Sequence, residues 1–594
     1  MLDPRVEYSK RLDSHLNILG AKDRLHQKIG NAKLLVVVAA FFFGYLSLSR
    51  SLFPSSWLLA FVTAYLALAV WHELILRAKA RAATAADYYR RGIARMEDRW
   101  AGTGQTGDRF RTGDHVYAED LDLFGKGSLF ELLSTARLPM GENRLADWLS
   151  RPSLKEVVLS RQELVAELRE KLDLRESLAI TGESLRARLD PESLVGWAEQ
   201  PPGMPGKVWR GLAFTLALAA VVAGVYYFVS SAVWPLLFVL ALEGLLRQQL
   251  QKKASAVLDA VTCNAEGVVL FANILELLEK ESFASPQLQK LCAPFKEGGL
   301  PASKVIRRFA RIVYWIDARH SLLAHLADFL FVYTLQVAFA AEAWRGRWGS
   351  KMRAWVDVAA EMEALLSLAA YSFEHPADPF PDFVEDSSGA FVGEELGHPL
   401  VPSARCVRNS VRLDSETRVI LVSGSNMSGK STLLRTIGVN SVLAMAGAPI
   451  RGKSLRLSPL RIGTSIRRVD SLQEGRSGFY TEILQIRRVF QLPEDSATLL
   501  FLFDELLEGT NSKDRRIGAE GLLKALLQRR AIGVVTTHDL ALTEITASGN
   551  GLVRNMHFED QVKDGKMVFD YKLREGVIVK SNALELMRLM GFEI

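Results

Sequence analysis

Residues Gly424 to Ser431 read Gly-Ser-Asn-Met-Ser-Gly-Lys-Ser, the pattern G-x-x-x-x-G-K-[ST]. The apolar run Val419-Ile420-Leu421-Val422 precedes it and suits a buried strand, and Thr432-Leu433-Leu434-Arg435 follows and suits a helix start. Strand, glycine-containing loop and helix in that order build a phosphate cradle, because loop and helix N-terminal N–H groups point at one spot. The reading assigns Gly424, Ser425, Asn426, Met427, Ser428, Gly429, Lys430, Ser431 and Thr432 to nucleotide binding. Lys430 is expected to reach the β- and γ-phosphates, and the Ser431 hydroxyl to hold Mg²⁺. ATP and Mg²⁺ are the expected ligands.

Two further strand ends belong with this loop. Leu499-Leu500-Phe501-Leu502-Phe503 runs into Asp504-Glu505. A carboxylate at such a strand end holds the metal, so Asp504 joins Ser431 as a metal residue, and Glu505 is placed to orient or deprotonate the attacking water. Ile532-Gly533-Val534-Val535-Thr536-Thr537 ends at His538, which is read as a contact to the γ-phosphate or the attacking water. Glu505, His538 and Lys430 are therefore the catalytic candidates. Between them, Asp470 to Glu482 forms a Gly/Ser-containing turn before a helix starting near Phe479. It lies too far along the chain to belong to the phosphate loop. In dimeric ABC-type ATPases such a segment completes the partner's site, so Ser477 is assigned to nucleotide in trans; a plain helix cap is the alternative.

Two apolar regions interrupt an otherwise charged chain of 594 residues with net charge +6. Leu34 to Leu76 and Gly211 to Leu246 each read as a helical hairpin, the first turning at Ser49–Ser56 and the second near Ser230-Ser231. A spanning helix needs about 20 apolar residues, which the first region supplies twice and the second barely so. Trp57, Trp71, Trp209 and Trp234 sit at segment ends, and His72 and Glu73 lie near one of them. Lys33, Arg77, Lys79 and Arg81 flank one hairpin, and Arg247, Lys252 and Lys253 the other, while Arg50 is the charge in the turns. The positive-inside rule then places both hairpin bases and the C-terminal domain in the cytoplasm, as a multi-pass protein of the cytoplasmic membrane. Buried helices of a large soluble domain are the alternative. No cleavable signal peptide is expected, and three scattered cysteines, Cys263, Cys292 and Cys406, fit a reducing compartment. The mild basicity suits phosphate-rich partners or an anionic membrane but lacks the density of a dedicated DNA-binding domain.

The expected organisation is an N-terminal cytoplasmic helix (1–32), a transmembrane hairpin (33–76), a helical linker and core (77–208), a second hairpin (209–248), a helical lever (249–386) and the P-loop domain (387–594). From Leu396 onward, short apolar strands alternate with helices, the mark of an α/β sheet.

With these residues placed, the chain resembles the MutS family of DNA mismatch-repair ATPases. Gly424-Ser-Asn-Met-Ser-Gly-Lys-Ser-Thr432 is similar to that family's phosphate loop, and Asp504-Glu505-Leu-Leu-Glu-Gly509-Thr510-Asn511-Ser512 to its second carboxylate motif. Gly475-Arg476-Ser477 with Phe479 and Glu482 resembles its signature segment, Thr537-His538 its switch, and Gly397-His398-Pro399 the opening of its ATPase domain. Upstream, Gly127 to Leu133, Pro139-Met-Gly141, Leu145 to Leu149, Pro152 and Arg161-Gln162 resemble the family's helical core. The resemblance implies an ABC-type P-loop ATPase domain behind a helical core and lever, working as a homodimer. It departs where function is set. No segment resembles the mismatch-reading domain or its wedge, and the hairpin Gly211–Leu246 stands where the family's DNA clamp interrupts the lever. The family aromatic that stacks on adenine falls at Cys406.

Three functions compete on this reading. The first is a membrane-anchored MutS-like ATPase, an ATP-dependent dimeric switch that binds DNA in the manner of mismatch-repair proteins. The second is a membrane-anchored ATP switch or structural protein that never touches DNA. The third, an ABC-type transporter, fits least, because two short hairpins offer no translocation path.

Overall fold

The computed structural model describes residues 3–50, 56–186, 189–384, 389–467, 478–493, 497–539, 542–544, 551–563 and 566–577. The expected hairpin turn at Ser49–Ser56 and the segment holding Ser477 fall mostly or wholly outside them. A helical region comes first and a mixed α/β domain follows.

The chain opens on two long antiparallel helices, α1 (Pro4–Arg50) and α2 (Trp57–Met96). Short helices α3 (Leu129–Leu133), α4 (Pro139–Ser150), α5 (Lys155–Leu168), α6 (Leu172–Arg186) and α7 (Pro191–Ala198) lead to a second antiparallel pair, α8 (Lys207–Ser230) and α9 (Trp234–Asp259). Then come α10 (Ala265–Lys280), α11 (Pro286–Cys292), α12 (Ala302–Ala318), α13 (Leu322–Phe331) and α14 (Tyr333–Glu374). At 1.5 Å per residue α14 is about 60 Å long. It buries Trp344, Trp348, Met352, Trp355, Leu365 and Tyr371, so it is the spine on which α4, α5, α7, α9 and α12 pack.

The outer faces of α1, α2 and α8 are apolar and uncovered. Leu34, Phe41, Trp57, Val62 and Phe228 are among the exposed side chains. By length and composition, α1, α2 and α8 are the three described helices able to cross a membrane. The second apolar region is barely long enough for two spans, and α9 is not among the three. Its apolar stretch ends at Glu243 and Arg247, and Leu246, Leu250, Ala254, Val257 and Leu258 bury in the helical core. Near the base of the first pair, His26 Nδ1 lies 2.7 Å from His72 Nε2, and Glu73 pairs with Arg77 at 2.9 Å.

The α/β domain holds two sheets. Strands β1 (Asp382–Phe383), β2 (Phe391–Leu396), β3 (Asn409–Leu413), β4 (Val419–Ser423), β5 (Ser454–Leu457), β6 (Leu460–Ser465), β7 (Thr498–Phe503), β8 (Ile532–Thr537), β9 (Val553–Lys563) and β10 (Lys566–Glu575) alternate with α15 (Lys430–Ala446), α16 (Gly478–Phe490) and α17 (Ser512–Gln528). The smaller sheet has order β1-β5-β2-β3 and the larger β10-β9-β4-β8-β7-β6. In the larger one only β10 and β9 are antiparallel. Its inner strands, β4 and β8, are buried along their full length, as apolar runs covered on both faces should be. The topology sets the carboxyl ends of β4, β7 and β8 side by side.

Polar joints tie the two regions together, and another ties α14 to the first helix pair. The carboxylate of Asp120, buried in the helical region, accepts hydrogen bonds from Thr464 Oγ1 (2.6 Å), Ile466 N (3.0 Å) and Arg467 N (2.9 Å) at the end of β6. Past the end of α14, Asp378 pairs with Arg451 at 3.3 Å, and Arg451 N donates to Asn440 Oδ1 in α15 at 2.8 Å. The last residue of α14, Glu374, accepts from Arg95 Nε of α2 at 2.7 Å and from Tyr8 OH of α1 at 3.3 Å, all of it buried.

Candidate functional site

The phosphate loop links the carboxyl end of β4 to the first turn of α15. Lys430 is 5% exposed and its Nζ donates to the loop's own carbonyls, Gly424 O at 2.9 Å and Ser425 O at 2.8 Å. Burial holds the ammonium below its usual pKa, while Glu505 and Asp504 nearby oppose that shift. The loop thus carries its positive charge folded back, close to two carboxylates. Ser425 Oγ and Ser428 Oγ are buried without hydrogen-bond partners. Buried hydroxyls without partners are costly unless a ligand supplies the missing contacts, and phosphate oxygens are acceptors that would. Asn426 and Met427 are exposed at the loop tip, and Gly429 takes φ +104° to let the chain enter the helix.

Asp504 and Glu505 leave β7 beside β8. Thr536, the penultimate residue of β8, donates its hydroxyl to Asp504 Oδ1 and accepts from Glu505 N at 3.0 Å. One side chain therefore fixes both carboxylate residues. Glu505 adopts a left-handed backbone, φ +50°, which turns the chain sharply off the strand. His538 follows β8; its Nδ1 lies 3.8 Å from Glu505 Oε1 and its Nε2 3.7 Å from Glu508 Oε1. The fold thus brings together Lys430, Ser431, Asp504, Glu505 and His538, which the sequence separates by up to about a hundred residues. Ser431 and Glu505 line one cavity with Lys430 and Thr432. Asp504, with its carboxylate oriented by Thr536, and Ser431 offer the oxygen donors that Mg²⁺ prefers.

Ser477, assigned to a partner's nucleotide, lies outside the described residues, but both flanks of its segment are anchored. Upstream, Asp120 holds the N–H groups of Ile466 and Arg467. Downstream, Glu482 of α16 is buried and accepts from Leu507 N at 2.7 Å, joining this helix to the loop after Glu505. Gly509 makes the same junction possible: a Cβ there would stand 2.6 Å from Phe479 Cβ and 3.3 Å from its Cα. Gly509→Val is therefore expected to push α16 away and lower stability by about 1–3 kcal/mol, an overpacking cost read as a fall in thermal midpoint. An unchanged midpoint would show that the junction yields.

The whole cavity, loop included, has a volume of about 930 Å³, and beyond the loop it is walled by His398, Arg405, Cys406, Asn409, Phe558 and Tyr571 among others. This is room for a nucleoside. Cys406 does lie in the wall, as the resemblance implied, and supplies no ring. Tyr571 and Phe558, from the β10–β9 hairpin, supply rings that the sequence reading missed. Tyr571 sits in a register shift of that hairpin, with φ +54°, and a Cβ on Gly429 would be 3.1 Å from its ring. Asn409 fixes it, donating to Tyr571 O and accepting from Leu573 N, each at 2.9 Å. The local signal was a Phe-Asp-Tyr in a charged strand, which does not announce a bulge.

His398 carries a pH dependence. Burial, then the Arg435 charge, push its pKa down to about 4. The unfolded chain takes up this proton near pH 6.5, so the unfolded state binds more protons between those values and stability falls as pH falls. Acidification from pH 7 to 5 is expected to cost about 2 kcal/mol through this group alone. The slope of stability against pH should flatten in His398→Gln; an identical slope would assign it elsewhere.

The sequence profile of MutS domain V matches residues 420–593. The chain is 35% identical over 202 residues to "Endonuclease MutS2" of Thermus thermophilus, covering 33% of this chain and 25% of that protein. It is 34% identical over 218 residues to "DNA mismatch repair protein MutS" of Brevibacillus brevis, covering 35% and 24%. It is 31% identical over 248 residues to "DNA mismatch repair protein MSH3" of Phaeosphaeria nodorum, covering 40% and 22%. The chain therefore spans about a quarter of the length of these curated relatives. Its C-terminal domain is a MutS-type ATPase domain, a P-loop ATP hydrolase, behind a helical region that holds several long apolar helices.

Proposed function

We propose that this chain is a membrane-anchored MutS-type ATPase, a switch that closes as a homodimer on ATP and moves a helical lever against its membrane helices. The observation that carries the reading is α14. Its C-terminal end leads through Asp378 and Arg451 to Asn440 of α15, the helix that begins at Lys430. α14 itself packs against α9, in the second apolar pair. One rigid element thus adjoins both the nucleotide helix and the apolar hairpin.

In this reading Lys430 exchanges the carbonyls of Gly424 and Ser425 for the β- and γ-phosphates, and residues 424–432 cradle the rest. Ser431 and Asp504 would hold Mg²⁺, which would supply charge neutralisation for the phosphates. Glu505 takes the proton of the attacking water, and His538 beside it senses the γ-phosphate. Ser477 of the partner chain completes the site. The apolar faces of α1, α2 and α8 lie in the cytoplasmic membrane, with the ATPase domain in the cytoplasm. The division into hairpin, core, lever and ATPase segments follows from that placement.

Lys430→Ala is the direct test: nucleotide affinity should fall by at least about tenfold, since a charge-assisted contact to phosphate is worth roughly 1.5–3 kcal/mol. Unchanged binding of a fluorescent ATP analogue would refute this assignment. DNA contact is the second reading, favoured by the printed names of two relatives and opposed by an apolar hairpin at the clamp position. Duplex binding whose affinity falls linearly in log–log against salt would support it. No binding at low salt with ATP present would leave the switch without DNA.

A further inference from the structure

We propose that α13 is an additional membrane element: a short helix lying in the plane of an anionic bilayer surface, at the foot of the second apolar pair, where it joins the lever to the membrane. The inference rests on the membrane reading above and adds a contact that the sequence did not suggest.

The helix has one uncovered apolar face. Leu322, Leu326 and Phe329 are 86%, 60% and 56% exposed, and Leu330 extends the same stripe. Spacing of four, three and one residues keeps these side chains on one side. The opposite side is held by the protein. Ala324 is buried, and Asp328 Oδ1 accepts from Thr334 N at 2.8 Å, capping the first turn of α14 across the break. Arg247 of α9 donates to Asp328 O and places its Nε 3.8 Å from Asp328 Oδ2. Asp328 thereby pins α13, α14 and α9 at one point, at the charged end of the apolar hairpin.

The direction of α13 is set by its junction. Val332 takes φ +46° and ψ +46°, a costly conformation for a β-branched residue, and the axis turns by 87° into α14. Besides α14, α13 packs against both α8 and α9, so it lies against the second apolar pair and not along the lever. A broken span made of α13 and α14 does not fit, since α14 buries Leu335, Val337, Ala338, Phe339 and Ala341 in protein.

The surroundings match a lipid headgroup layer. Tyr314 and Trp315 are 65% and 47% exposed at the end of α12, next to α13 in the chain, and Tyr333 OH donates to Trp315 O at 2.8 Å. Amphipathic rings of this kind favour the membrane–water boundary. Behind Trp315 on the same helix face, Arg311, Arg308 and Lys304 are exposed in a stripe at helical spacing. Exposed apolar residues, aromatics and cations on neighbouring helices supply the side chains of an interfacial helix on anionic lipid.

The test is site-specific photocrosslinking of the full chain in nanodiscs of mixed phosphatidylglycerol and phosphatidylcholine. Benzoylphenylalanine replaces, one at a time, Val222 of α8, Leu326, Phe329, and Lys513 on the exposed surface of the ATPase domain. The expected result is a mass gain of one lipid at positions 222, 326 and 329 and none at 513, with phosphatidylglycerol the preferred adduct at 326 and 329. Lipid at 222 with none at 326 or 329 overturns this proposal and leaves the membrane reading standing. A crosslink at 326 or 329 to another protein chain overturns it in favour of a protein partner. No lipid even at 222 overturns the membrane reading, and this inference with it.

Discussion

Glu505→Gln is expected to retain ATP and to slow its hydrolysis by roughly 10²–10⁴-fold, the usual worth of a positioned general base. The reasoning is local. Thr536 fixes the Glu505 backbone through a 3.0 Å hydrogen bond to its N–H, so the substitution leaves the turn off β7 in place. The amide keeps the side chain's volume and cannot accept a proton from water. Lys430 is untouched and still meets phosphate. Single-turnover hydrolysis beside equilibrium nucleotide binding separates the two effects. A variant that turns over at the parental rate would move the base elsewhere, and Glu508, 3.7 Å from His538 Nε2, is the nearest alternative.

The second large effect concerns the joint between the first helix pair and the lever. Glu374→Ala should destabilise the fold by about 3–5 kcal/mol, because it leaves the Arg95 guanidinium buried and unpaired. Arg95 has 9% and Glu374 0% of its side chain exposed, so water does not replace the lost partner. The Tyr8 hydroxyl loses its acceptor as well. The double substitution Arg95→Met with Glu374→Leu should recover most of the loss, since an apolar pair of similar volume carries no stranded charge. Denaturant unfolding of the parent and the two variants in one detergent decides the matter. A loss below about 1 kcal/mol in Glu374→Ala would mean that water or another cation reaches the site.

The strands that carry the site were legible because each is a buried apolar run followed by its chemistry. The expected runs at Val419, Leu499 and Ile532 correspond to β4, β7 and β8, and the helix expected near Phe479 begins at Gly478. What was not legible depends on residues far apart in the chain. Asp120 meets Ile466 and Arg467 across more than 340 positions, and nothing local distinguishes it from other acidic residues of its loop. Tyr571 reaches the nucleotide cavity through a strand irregularity. Whether the second apolar region holds one span or two was not legible either, since apolar composition alone does not reveal that Leu246, Leu250, Ala254, Val257 and Leu258 bury in the helical core. Nor was α13 separable from its neighbours: the break at Val332 uses neither glycine nor proline, so the sequence read on as one helical stretch.

The most direct test of the account is the mass of the full-length Glu505→Gln chain in detergent, measured by light scattering with ATP and Mg²⁺ and again with ADP. Closure of two ATPase domains over shared nucleotide predicts a dimer with ATP and a monomer with ADP. A protein that binds ATP yet stays monomeric in both conditions would contradict it.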